Sequence, residues 1–150
     1  MMFKKFFNGL LFFFFTAHVS SQIAFIGPMF HYNFGSNQDN HFSWGVEASV
    51  WYPSLIHNTF IPNGLDVGVE FEKKKFRLYG EIEVGFLAGV SLGYVGEFDR
   101  IQRWRGGFQG SVWLAYLFGF DFRYRSIDNN KVYAPGLFFK YPVGYAKIDL

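Results

Sequence analysis

The chain of 150 residues has the length of one domain, holds no cysteine, and is 23% aromatic with 22 Phe and 9 Tyr. That aromatic load exceeds what one small interior normally holds, and the missing cysteine excludes a disulfide framework, a thiolate metal site and a thiol-linked lipid anchor. The formal charge of +2 gives no support for nucleic-acid binding, because Lys4 and Lys5 belong to a leader; without them the 14 basic residues become 12, level with the 12 acidic ones.

That leader, residues 1–21, reads as a secretory signal peptide. Lys4 and Lys5 form its positive region, Phe6 to Ala17 its apolar region, and Val19-Ser20-Ser21 a small-residue cleavage site before Gln22. The apolar run is about half the roughly 20 residues of a spanning helix and contains Asn8 and Gly9. The expected organisation is therefore a signal peptide over 1–21 and a single domain over 22–150.

From Ile23 the dominant signal is a period of two, the mark of strands whose side chains alternate between faces. Ala24, Ile26, Pro28, Phe30, Tyr32 and Phe34 form one face of a first strand, disturbed at Gly27-Pro28, with His31 and Asn33 on the other. Gly35 to Asn40 is a turn. The second strand sets Phe42, Trp44, Val46, Ala48, Val50 and Tyr52 against Ser43, Gly45, Glu47, Ser49 and Trp51. Pro53 to Asn63 is the longest connection. Leu65, Val67, Val69 and Phe71 then alternate with Asp66, Gly68, Glu70 and Glu72 up to a turn at Lys73-Lys74-Lys75. Phe76, Leu78, Ile82 and Val84 follow against Arg77, Tyr79, Glu81 and Glu83, and the two segments make a hairpin.

Ala88-Gly89 is the next turn candidate, ahead of a strand in which Leu92, Tyr94 and Phe98 oppose Ser91, Val95 and Glu97. Arg100 to Gly107 reads as a loop gathering Arg100, Arg103, Trp104 and Arg105, ordinarily a solvated segment and alternatively an anion site. Phe108 to Ser126 alternates throughout, with Val112, Leu114, Phe118, Phe120 and Phe122 on one face and Asp121, Arg123 and Arg125 on the other. A single strand of that length would span about 60 Å, twice a hydrocarbon core. Unbroken alternation favours one strand; the length favours two, with a turn over Leu117 to Gly119 in which Gly119 supplies a positive φ, and the second reading is preferred. After Asp128-Asn129-Asn130 a last strand carries Tyr133, Leu137, Phe139 and Tyr141 with Lys140 opposite, and Tyr145 to Leu150 is a tail or a short extra strand.

Two faces emerge on every strand. One is aromatic and branched-aliphatic; the other collects Glu47, Asp66, Glu70, Glu72, Arg77, Glu81, Glu83, Glu97, Asp121, Arg123, Arg125 and Lys140. With a secretion signal ahead, the apolar face is expected to meet lipid and the charged face to form a network inside a closed barrel. On this repeated pattern over Ile23 to about Pro142 the chain resembles the small outer-membrane β-barrels of Gram-negative bacteria, and the leader's Ser-Gln ending resembles a Bacteroidetes-type member. It departs from them in ending Ile148-Asp149-Leu150 where an aromatic residue is common.

The resemblance implies an all-β fold: a single antiparallel up-and-down transmembrane barrel of about eight strands in the cell outer membrane. Its partners would be outer-membrane lipids and the barrel-assembly machinery, with no nucleic acid and no cofactor. The rival fold is a secreted lipocalin-like barrel with the aromatic face inward around an apolar ligand. A third reading is a lipid-active enzyme, in which His31, Ser43 and Glu47 on one face supply base, nucleophile and orienting acid. The pairs Glu70/Glu72 and Glu81/Glu83 admit a glycosidase dyad or a calcium site, or simply interior charges answered by Arg77, Arg123, Arg125 and Lys140. His41 and His57 fall in or beside turns without metal-ligand spacing. The preferred function is structural, interaction or surface, with no enzymatic reaction.

Overall fold

The computed structural model describes residues 23–36, 40–52, 62–99, 104–115 and 117–145. The leader, most of the 53–62 connection, Arg100, Arg103 and the tail after Tyr145 lie outside the described residues. The strands are β1 (Ile23–Gly35), β2 (His41–Tyr52), β3 (Asn63–Glu72), β4 (Lys75–Gly85), β5 (Ala88–Asp99), β6 (Trp104–Leu114), β7 (Phe118–Ile127), β8 (Asn130–Phe139) and β9 (Tyr141–Tyr145).

From β1 to β8 each strand pairs antiparallel with the next, and β1 pairs on its other side with both β8 and β9, which closes the sheet. Met29 opposes Phe138 and Ile26 opposes Tyr141, so β8 and β9 share one register along β1 on either side of Lys140. They are two halves of one stave. The fold is an all-β, closed, antiparallel up-and-down barrel of eight staves.

The closing seam differs from the other seven. Their pairings run without interruption, whereas along β1 the ladder lapses between His31 and Phe34, between Ile26 and Met29, and at a bulge beside Ala24. Pro28, Pro135 and Pro142 all sit on this seam, and a proline has no N–H to give a ladder. At Gly27 a side chain would collide with the Phe139 carbonyl, so glycine is what lets the backbones approach beside Pro28.

The long alternating stretch is two strands, joined at Ala115 to Leu117. The residue with positive φ is Ala115, at 69°, and not Gly119, which lies buried within β7. Leu114 opposes Phe120, and five residues intervene. Directly opposed residues share a face, so an odd number between them leaves the alternation in phase, and continuity was no argument against a turn. Two further boundaries move. The β4–β5 turn is Phe86-Leu87, with Ala88-Gly89 already in β5; Trp104 and Arg105 open β6 instead of belonging to a loop. At Asp128-Asn129 both residues have positive φ, as a two-residue hairpin with the twist of its flanking strands requires.

Inside and outside are the reverse of a soluble barrel. Phe42, Leu92 and Phe108 are 78%, 68% and 70% exposed, while Glu70, Arg77 and Arg125 are fully buried. The lipocalin-like alternative needs the aromatic face inward, and the structure turns it outward. Near the strand ends away from the termini the outer rings touch in two runs. One is Trp44, Phe71, Phe76, Phe98 and Trp104, with successive centroids 5.0, 6.4, 4.6 and 4.4 Å apart; the other joins Phe42, Tyr32, Phe34, Tyr133 and Tyr124. At the terminal end Phe25, Trp51, Trp113 and Phe138 fill the lumen, the two indoles edge to face at 5.6 Å.

Candidate functional site

The chemistry-bearing side chains lie in the lumen, because strand parity sends every second residue there. They form two tiers. In the tier away from the termini, Glu70 of β3 is the hub. Its Oε1 accepts from Arg77 Nη1 at 2.9 Å and from Arg125 Nη1 at 3.0 Å, and Arg125 Nη2 grips Oε2. Arg125 also donates to Asn33 Oδ1 at 2.9 Å and to Gln109. Arg77 reaches Glu97 Oε2 and Glu72 Oε2, each at 2.8 Å. Lys75 and Arg105 complete the shell around Glu97, and Arg105, a third exposed, marks where the lumen meets solvent.

The second tier centres on Arg123 of β7. It donates to Glu47 Oε2 at 2.8 Å and to Asp121, and its guanidinium lies 4.6 Å from the centre of the Tyr79 ring. The Tyr79 hydroxyl donates to the same Glu47 oxygen at 2.9 Å. Lys140, turned inward at the break between β8 and β9, is 3.2 Å from Glu83, 3.6 Å from Glu47 and 3.8 Å from Asp66. Asp66 and Glu81 face each other directly across the β3–β4 ladder, an arrangement of like charges that is unfavourable unless cations or water intervene. The space between these groups is a void of about 10 Å3, enough for a single water. Oxygens of Glu47, Asp66, Glu81 and Glu83 and the donors Arg123 Nη1 and Trp113 Nε1 of the residues lining it have no hydrogen-bond partner among the described residues, so a water there would find both acceptors and donors to satisfy.

His31 joins the tiers. Its Nε2 is 2.9 Å from Asp121 Oδ2 and its Nδ1 is 3.6 Å from Glu70. The ring fits because its β8 partner is Gly136, where any side chain would overlap the imidazole.

This geometry separates the three residues that could have formed a triad. His31 engages Asp121; Ser43 Oγ accepts from Asn33 at 2.6 Å and points to the His31 backbone carbonyl; Glu47 is held by Arg123 and Tyr79. Ser43 thus has no base beside it, and all three are closed off from substrate. The carboxylate pairs do not form an open dyad either, since Arg77 bridges Glu70 and Glu72 while Lys140 holds Glu83. No group of three or more His, Asp or Glu among the described residues is disposed to hold a metal ion.

Tyr79 and Gln109 fall on the polar faces by parity, but the sequence did not mark them as partners of the charges; Met29 was not singled out, and parity alone places it inward. The His31–Asp121 and Arg125–Glu70 contacts span 90 and 55 residues and follow only from closure of the barrel.

No protein-family model matches the chain, and no curated protein matches it significantly. A solved structure with which it aligns is Ail, the attachment invasion locus protein of Yersinia pestis: 9% identity, 81% of this chain and 99% of that chain covered, TM-score 0.24. A score that low transfers neither fold nor function from one chain to the other.

Proposed function

We propose that the chain is a small outer-membrane β-barrel with a structural, interaction or surface role and no reaction of its own. The observation that carries the reading is the inverted burial: a continuous apolar exterior around a lumen of paired charges. In water an exterior of that extent exceeds by far the few hundred Å2 of contiguous apolar surface usual for a soluble monomer. In lipid it is the ordinary state, and a closed ladder leaves no unpaired edge in hydrocarbon. The filled lumen argues against a diffusion pore, and the engaged His31, Ser43 and Glu47 argue against catalysis.

Outer-membrane lipids and the barrel-assembly machinery are the partners this reading requires. The Lys4-Lys5 leader and the Ser-Gln junction support export, cleavage before Gln22 and a Bacteroidetes-type member. Fractionation with mass spectrometry of the N-terminus tests it. Recovery in the outer membrane with Gln22 first is the expected result; an intact Met1, or recovery only in the soluble fraction, overturns it.

A further inference from the structure

We infer that Asp66 holds a proton in the folded barrel and is the pH-sensitive group of the lumen. The described residues lining the void include five carboxylates, Glu47, Asp66, Glu81, Glu83 and Asp121, and two cations, Arg123 and Lys140. Counting His31, on the far side of Asp121, as a third cation still leaves acid in excess. The short contacts show which acids the cations serve. Arg123 binds Glu47 and Asp121, and the carboxylate nearest to Lys140 is Glu83. Asp66 and Glu81 remain. Both are buried; Asp66 is 3.8 Å from Lys140 and Glu81 has no cation within ion-pair reach among the described residues, while Asp66 Oδ1 and Glu81 Oε1 accept no hydrogen bond. Two buried carboxylates placed face to face without a cation between them do not both stay ionised; one takes a proton instead.

The geometry selects Asp66. It faces Glu81 directly across the β3–β4 ladder, lies within hydrogen-bonding reach of Glu83, and has Glu47 on its β2 side. Two carboxyl groups can share a hydrogen bond only when one of them is an acid, since carboxylates accept and do not donate. Glu83 is already the acceptor of Lys140, which puts the proton on Asp66. Glu81 lies in the field of Arg123, whose Nη1 has no other hydrogen-bond partner among the described residues. The remaining neighbours do not compete: Ser49, directly opposite on β2, is neutral, and Tyr79 donates its hydroxyl proton to Glu47. Folding is then proton-dependent. The folded state holds a proton that the unfolded chain releases above the ordinary carboxylate range, so stability falls as pH rises, until the folded state releases it too. Its loss sets Asp66, Glu81 and Glu83 as three charges beside one ammonium.

The test follows the full protein, folded in a neutral detergent, by the infrared carbonyl band of a protonated carboxyl and by urea unfolding from about pH 5 to about pH 9. The unaltered protein should show the acid band at neutral pH, and this one proton should raise its unfolding constant by up to about tenfold per pH unit. Asp66→Asn, which copies the shape and the donor of the neutral acid, should fold, lose the band and lose that one-proton share of the slope. Glu97→Gln, in the other tier, should keep both. An unaltered protein without the band overturns the inference by itself. So does a band or a slope that survives in Asp66→Asn, an equal loss in Glu97→Gln, or a failure of Asp66→Asn to fold, since the amide reproduces the neutral donor. The inference stands on the lumen alone, so failure of the outer-membrane reading leaves it and its test unchanged.

Discussion

Glu70 is the residue whose loss the structure says the lumen tolerates least. Arg77 would keep Glu72 and Glu97, but Arg125 would retain only the neutral Asn33 and Gln109, leaving a fully buried guanidinium without a carboxylate. Breaking a buried pair from one side costs about 3–5 kcal/mol. Glu70→Gln keeps shape and one acceptor, so about 3 kcal/mol is expected, which at ordinary urea sensitivities moves the unfolding midpoint down by about 1–3 M. The reverse change should cost less: in Arg125→Gln the carboxylate still has Arg77. The double variant, which removes both charges, should recover most of the loss. Arg105→Ala is the reference, since Arg105 is partly exposed and Glu97 keeps other cations, and it should cost about 0–1 kcal/mol. Urea unfolding in lipid vesicles, followed by the fluorescence of the lumenal Trp51 and Trp113, reads all four variants. If Glu70→Gln is no more damaging than Arg105→Ala, water reaches Arg125 and the dry, paired lumen is refuted.

Three further outcomes follow from the outer surface, the turns and the seam. Leu92→Arg, at mid-strand on the exterior, should cost about 2–4 kcal/mol of stability in lipid, while Phe42→Arg at the rim should cost about 0–1 kcal/mol; equal costs would contradict the facing. Ala115→Gly should stabilise by about 1 kcal/mol, because a φ of 69° is unfavourable for any residue with a Cβ, and a loss of stability would show that the turn is misplaced. Hydrogen exchange in lipid should be faster for amides of β1 and β8 along their shared seam than for the β4–β5 ladder, and uniform protection would mean that the proline interruptions do not weaken closure.

The faces of the strands were legible because parity is a local property. Even residues point outward on β2, odd ones on β3 and even ones again on β4, and the phase changes fall at the connections where the alternation itself switches. Turn positions were legible only to within a few residues. Gly119 looked like the residue for a left-handed turn, yet a buried glycine in a strand meets another need: any side chain there would overlap the Phe138 ring. Arg105 looked like part of a basic loop because arginines cluster around it, but its partner Glu97 lies directly opposite on β5. What no local pattern carries is which strands close the barrel, and so which charges meet. The sequence places His31 and Asp121 on inward positions of separate strands; only the β1–β8 seam brings one against the other.

That non-local pairing suggests why so much charge is kept where hydrocarbon would pack at less electrostatic cost. Lipid discriminates poorly among apolar side chains, so the outer face alone would accept a strand displaced by two residues almost as readily as the native register. The lumen does not. A two-residue slip of β7 would carry Arg125 to the height of Arg123, withdraw it from Glu70, and bring Arg123 towards the level of Asp121 and the Trp113 end of the lumen. A one-residue slip is worse, since it turns Asp121, Arg123 and Arg125 into lipid together. The ion pairs therefore act as a registry device, and they matter most at the seam, where proline has thinned the ladder while Lys140 ties the last stave to Glu47 of β2 and His31 ties the first to Asp121 of β7. It follows that neutralising Lys140 should raise exchange along β1 before it lowers global stability, a sequence of events that a purely hydrophobic account of closure does not produce.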